Sequence, residues 1–243
     1  MIDKKRFFFL PIMEKDKDSI YMTDTNNYAI GKSNVIWIWN KENLSKEKII
    51  EMLNILEKTF LTKNNNTITC RKEIYYELKK RGDTSNRKEL CYLECNHLKK
   101  IKLSPGFIDK PNYSDKVMLA NWWQDYSKDL SQEISFTDSL KEVENWMEDE
   151  TFYVWREKNG KIVCMANYWE NEGIAKISYV YTPKNQRNKG YCKSLIHELT
   201  KILMDKGIEP MLYTEYNNIS ANRAYQSLGY ENKEILICFD FNL

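Results

Sequence analysis

Histidine is nearly missing from this chain: His97 and His197 are the two among 243 residues. The six cysteines, Cys70, Cys91, Cys95, Cys164, Cys192 and Cys238, are scattered, and no two stand in a Cys-x-x-Cys pair. A protein-bound zinc ion needs clustered thiolate and imidazole ligands, so no metal is expected. Scattered thiols instead predict reduced, mostly buried cysteines and a cytoplasmic location. An excess of one charge is missing too. Lysine and arginine number 37 against 35 acidic residues, a net charge of +2. So small an imbalance gives nucleic-acid binding no support as the main role. No apolar run is long enough to span a bilayer, so no membrane partner is expected. The run at 7–10 follows Lys4, Lys5 and Arg6, but Pro11 and the charged stretch 14–18 end it short of a signal-peptide core. No internal repeat stands out, and the one low-complexity tract, Asn64-Asn65-Asn66, reads as a loop.

What is present suffices for a folded core. Hydrophobic residues make up 42% and aromatic residues 13%, which excludes a disordered chain. The length fits one large or two small domains. In the first part, 35–39 (Val-Ile-Trp-Ile-Trp) reads as a strand. Ser45 can cap a helix whose apolar stripe is Ile49, Ile50, Leu53, Leu56 and Phe60. A short strand at 67–70, a helix at 73–81 stopped by Gly82, and a strand at 90–94 follow. A lysine cluster, Ser104-Pro105-Gly106 and Pro111 mark a break, so domains at 1–98 and 99–243 are expected. Beyond it, helices are predicted at 114–130 and 137–149. Strands at 152–156 and 162–169 are joined through Asn159-Gly160, a strong hairpin signal. A strand at 174–182, a helix from Gly190 to near Gly207, a strand at 211–214, a helix at 220–228 capped by Ser220 and a strand at 235–241 complete the order α-α-β-β-β-α-β-α-β.

The densest signal lies at 177–191, Ile-Ser-Tyr-Val-Tyr-Thr-Pro-Lys-Asn-Gln-Arg-Asn-Lys-Gly-Tyr. An apolar strand ends at a proline, a basic glycine-containing loop follows, and a helical pattern begins with Tyr191, Leu195, Leu199, Ile202 and Leu203. A helix start presents unpaired N–H groups and partial positive charge, which suits a phosphate. Arg187 and Lys189 add full charges, and Gly190 permits close backbone approach.

Two motifs carry a family resemblance. Arg187-Asn188-Lys189-Gly190-Tyr191-Cys192 is similar to the Gln/Arg-x-x-Gly-x-Gly/Ala loop of the GNAT family of acetyl-coenzyme A-dependent N-acetyltransferases. Downstream, Asn222-Arg223-Ala224-Tyr225-Gln226-Ser227-Leu228-Gly229-Tyr230 resembles that family's Asn-x-x-Tyr-x-x-x-Gly-Phe/Tyr helix. The resemblance covers residues 99–243 and departs at Cys192, where the family has Gly or Ala. It implies an α/β (α+β) fold. The sheet would be mixed and mostly antiparallel, with a splayed central strand pair and flanking helices. A smaller α/β N-terminal domain would precede it, shaping the acceptor side or a homodimer contact; its own alternation of strands and helices is what a degenerate copy of the fold would show.

The resemblance also assigns roles. Acetyl-CoA would be the co-substrate, its pantetheine arm pairing with the backbone of Val180, Tyr181 and Thr182. Its diphosphate would sit on Arg187, Asn188, Lys189, Gly190, Tyr191 and Cys192, and Asn218 and Asn222 would reach the arm. Tyr225 would protonate the departing thiolate, since a phenol of pKa ~10 can donate as that charge develops. The acceptor would be a primary amine of a small molecule or peptide, attacking directly. Strand 174–182 carries no acid, which leaves Glu215 as the named base candidate; an amine arriving neutral needs none. Trp122, Trp123, Asp125 and Tyr126 would wall the acceptor by cation–π and charge attraction. The competing reading is a non-catalytic acyl-CoA-binding or regulatory module, with an empty scaffold a third.

Overall fold

The structure is a computed structural model that describes residues 5–24, 26–63, 66–130 and 132–243. Lys4, Asn64 and Asn65 lie outside the described residues, while Asn66 is not loop but the first residue of a strand. The chain forms two compact units, one of residues 1–93, 213–222 and 232–243, the other of 94–212 and 223–231. In chain order the elements begin with α1 (Phe9–Lys15), β1 (Ile20–Asp24), β2 (Tyr28–Lys32), β3 (Ile36–Asn40), α2 (Lys46–Ile55), β4 (Asn66–Cys70), α3 (Lys72–Leu78) and β5 (Asp83–Glu94). There follow β6 (Phe107–Asp109), α4 (Lys116–Asp129), α5 (Phe136–Glu148), β7 (Phe152–Arg156), β8 (Ile162–Asn171) and β9 (Ile174–Tyr181). The last are α6 (Tyr191–Asp205), β10 (Glu209–Glu215), α7 (Ile219–Leu228) and β11 (Glu231–Asn242).

In the first unit the strands run β1-β2-β3-β4-β11-β5. The β3–β4 pair is parallel, and the β1–β2, β2–β3 and β4–β11 pairs are antiparallel. Strand side chains alternate between faces, and here both faces are covered. Ile36 and Ile38 join a core with Met52 and Leu53 of α2 and Ile74 and Leu78 of α3. Trp37 and Trp39 join another with Leu10 and Met13 of α1. That is why β3 reads as an unbroken apolar run. Ser45 does cap α2, accepting from the Lys48 N–H at 3.3 Å. The signal-like run at 7–10 is core of this unit, with Phe7, Phe8 and Leu10 buried. Strand β5 starts at Asp83, well before the expected 90. Its first half is polar and exposed, so it offers no alternation to read. The closing strand pairs Ile237–Phe241 with Cys70–Asn66 of β4.

The second unit orders its strands β10-β9-β8-β7-β6, antiparallel except for β9–β10. That parallel pairing covers Ile174–Lys176 against Glu209–Met211, and β9 continues for five more residues. Helices α4 and α5 pack Leu119, Trp123, Val143 and Trp146 onto Phe152, Val154 and Met165, while α6 packs against β6, β7, β8 and β9. The expected hairpin forms between β7 and β8, closed by Glu157 N–H to the Lys161 carbonyl at 2.8 Å. Each unit is thus a mixed, mostly antiparallel sheet with flanking helices.

A connector after β5 ties this unit together. The Cys95 N–H donates to the Pro210 carbonyl at 3.3 Å and the Lys99 N–H to the Leu228 carbonyl at 2.9 Å. Gly229 makes room for it: its φ is +106°, and a Cβ there would fall 2.1 Å from the His97 carbonyl oxygen. Gly229→Ala should therefore cost about 2 kcal/mol or more of stability, through strain and displacement of backbone. A urea midpoint unchanged from the parent would contradict this.

Candidate active site

Strand β9 is irregular where the site begins. Met165 pairs with Tyr181 and Asn167 with Ser178, so three steps along β9 oppose two along β8. The extra residue is a β-bulge, which bends its strand and frees backbone groups from the ladder. Tyr179 in this bulge has φ of 54°, a left-handed conformation costing an aromatic residue about 1–2 kcal/mol. Packing offsets the strain. The Tyr179 ring lies 4.4 Å from that of Trp123 and 4.7 Å from that of Trp146, centroid to centroid. Val180 follows, half-buried, and then Tyr181, buried against Trp122 and Tyr126 at 6.1 and 6.5 Å.

Beyond Thr182 the chain makes a 3-10 turn (Lys184–Gln186) and runs through the loop into α6. Asn188 has φ of 64° and Gly190 φ of 80°. Left-handed residues at a helix start arrange successive N–H groups around a concavity that favours anions. No side chain caps α6, so its first N–H groups have neither an i−4 partner nor a cap. The basic side chains brace the turn. Arg187 donates from Nε to the Thr182 carbonyl and from Nη2 to Asp129, both at 2.9 Å, with its guanidinium over the Tyr181 ring. The Lys189 ammonium donates to Gln186 at 2.9 Å. The Tyr191 hydroxyl is bonded to Glu157.

Tyr225 on α7 is buried, with its ring 6.0 Å from that of Tyr230. Burial first, then the neighbouring Cys192, Tyr126, Tyr230 and Cys164, push its phenol well above the ordinary value. Cys192 lies in the first turn of α6. A hydrogen bond from Cys164 holds its thiol below the ordinary value, against the opposing effect of burial. Burial raises the Cys164 thiol, which also accepts from the Thr182 hydroxyl at 3.2 Å. The second unit therefore brings Thr182, Cys164, Cys192, Tyr126 and Tyr225 into one neighbourhood.

The remaining predicted residues divide. Trp122 is half-buried and Asp125 exposed, and after burial Asp125 is the main influence raising the Tyr181 phenol. Trp123 is buried, its ring enclosed by Tyr126, Trp146 and Tyr179. Asn218, Asn222 and Glu215 belong to the first unit. Asn218, rather than Ser220, accepts from the Ala221 N–H at 3.1 Å and so caps α7. Asn222 donates to the carbonyls of Glu215 and Tyr216 at 3.0 and 3.1 Å. Glu215 is ion-paired with Lys88 at 3.1 Å. The sequence did not point to the Tyr179 bulge, to Cys164 or to Asp129. A tyrosine forced to positive φ has no sequence signature, and Cys164 sits in an ordinary apolar strand. Among the described residues no cluster of three or more His, Cys, Asp and Glu could hold a metal, and no helix is long and apolar enough to cross a membrane.

Residues 117–230 match the acetyltransferase (GNAT) family. No curated protein matches the sequence. Among solved structures, a GCN5-related N-acetyltransferase from Kribbella flavida is similar over 99% of this chain and 96% of its own, with TM-score 0.66 and 15% identity. A GNAT-family acetyltransferase from Colwellia psychrerythraea covers 100% of this chain and 90% of its own, with TM-score 0.65 and 12% identity. A GCN5-related N-acetyltransferase from Sphaerobacter thermophilus covers 91% and 75%, with TM-score 0.64 and 13% identity. At these identities the likeness is one of fold.

Cys192 is the thiol expected to react first. It is half-buried, and its pKa is lowered while burial raises those of Cys70, Cys91, Cys95, Cys164 and Cys238. The thiolate is the nucleophile, so labelling should rise with pH through a midpoint below the ordinary 9.0. Timed iodoacetamide labelling read by peptide mass spectrometry checks this; another cysteine labelled first would refute it.

Proposed function

We propose that this chain, which carries a GNAT-family acetyltransferase domain at residues 117–230, is an N-acetyltransferase. It would move the acetyl group of acetyl-CoA directly to a primary amine. The observation that carries the reading is the uncapped start of α6 behind two left-handed residues, in the same unit as a buried, protonated Tyr225. The residues present fit a diphosphate there: backbone donors without a cap, a loop glycine, and no carboxylate within 187–192.

The acyl donor, once bound, supplies the thioester. Each chain group then has a defined task. The N–H groups of Asn188 through Cys192 hold the diphosphate. The bulged backbone at Val180 and the backbone at Thr182 pair with the amides of the pantetheine arm as an added strand would. The amine attacks the thioester carbonyl, the new C–N bond forms and the C–S bond breaks. The Tyr225 hydroxyl gives its proton to the departing thiolate and is restored, through water, by the proton that the amine nitrogen sheds as the amide forms. Its raised pKa keeps that proton in place across the physiological range. An acceptor arriving as the neutral amine requires no base before it attacks. Trp122, Tyr126 and Tyr181 supply aromatic faces and Asp125 and Asp129 negative charge, a combination suited to amines that are cationic before they react.

The test is thiol release from acetyl-CoA across a panel of primary amines. At least one amine should support turnover, and Tyr225→Phe should lower kcat by ~10²-fold, the range of a general acid, with CoA affinity nearly unchanged. A Phe variant with full kcat would take the phenol out of the chemistry. Binding of CoA without turnover on any amine would favour a binding module instead.

A further inference from the structure

The family match begins at residue 117, yet a residue upstream of it touches the loop. Ser104 lies in the connector between β5 and β6, half-buried. Its hydroxyl donates to the Lys189 carbonyl at 2.8 Å. Its own N–H donates to the hydroxyl of Ser194, a buried residue one turn into α6, also at 2.8 Å. Two bonds therefore tie one residue to the helix start.

The first bond sets a direction. In a trans peptide the C=O of one residue and the N–H of the next share a plane and point opposite ways. The chain has no cis bond among its described residues. Drawing the Lys189 carbonyl toward Ser104 thus turns the Gly190 N–H away from Ser104. Glycine by itself would not keep that orientation, because positive and negative φ are nearly equal for it. Gly190 also permits the contact, since a Cβ there would fall 2.7 Å from Ser104 Oγ.

We infer that Ser104 is a positioning residue for the diphosphate-holding turn, its hydroxyl locking the peptide between Lys189 and Gly190 so that the glycine N–H faces the ligand. The inference rests on the proposed acetyl-CoA reading. It deepens that reading by locating part of the binding apparatus outside the recognised motif. Pre-organised donors bind more tightly because the ligand need not order them. The same connector bonds Leu228 at the end of α7 through Lys99, so one segment braces both the loop and the helix that carries Tyr225.

The test is calorimetric titration of the full chain with CoA, in the parent and in two variants. Ser104→Ala should weaken binding about tenfold, the loss of one hydrogen bond and of the order it imposes. Ser104→Thr keeps the hydroxyl and should bind within about twofold of the parent, a rescue that a packing role would not produce. Ser104→Gly serves if the alanine variant does not fold. Parent and Ser104→Ala binding alike, or Ser104→Thr binding as weakly as Ser104→Ala, overturns this inference and leaves the acetyl-CoA reading standing. No heat from the parent overturns both.

Discussion

The second unit is organised around a helix start that is left without a cap. Fifteen aligned peptides concentrate partial positive charge at the N-terminus of α6. The usual answer is a Ser, Thr, Asp or Asn side chain at the cap, worth about 1 kcal/mol. Here the cap is Gly190, which has no side-chain oxygen to offer. Asn188 is held left-handed one residue before Lys189. Such a turn gives up local stability, and a ligand oxyanion would return it. The neighbouring cations are already engaged, Arg187 with Asp129 and Thr182, Lys189 with Gln186. They fix the shape of the turn while their charge still adds to its field.

The bulge in β9 poses the converse problem. A tyrosine at positive φ is strained wherever it occurs, and it persists only if its surroundings over-determine it. Trp123, Trp146 and Tyr126 do so by enclosing the Tyr179 ring. Aromatic pairs of this kind contribute about 0.5–1.5 kcal/mol each beyond the area they bury, enough to offset the backbone cost. The tryptophans of α4 thus have different duties. Trp123 holds the bulge, and Trp122, one residue earlier, stays half-buried beside Tyr181.

How much of this the sequence disclosed depends on the range of the interaction. The β7–β8 hairpin, helix α6 and the strand before it were legible because Asn159-Gly160, Gly190 and the apolar periodicity are local signals. Strand β1, edge-on with alternately exposed Ile20 and Met22, and the polar half of β5 were not, because pairing partners far along the chain define them. The same limit applies in the site. Residues 187–192 announce themselves as a run. Ser104 looked like the start of a linker, Ser-Pro-Gly, and only folding carries its hydroxyl to a carbonyl 85 residues away. Asn218 and Ser220 compete for one cap within two positions, a choice that composition alone does not make.

The departure at Cys192 bears on the chemistry more than on the loop. Its side chain leaves the backbone N–H free to donate, so replacing Gly or Ala does not remove a donor. What it adds is a thiol with a lowered pKa near the Tyr225 phenol, where Cys164 and Tyr126 are also neighbours. All four are neutral or, when ionised, negative. None of the groups that shift Tyr225 is a cation that would stabilise a phenolate. A phenol so placed keeps its proton and so remains a hydrogen-bond donor. Burial, thiol and tyrosine neighbours all push in that one direction, which keeps the phenol protonated and unsuited to act as a nucleophile.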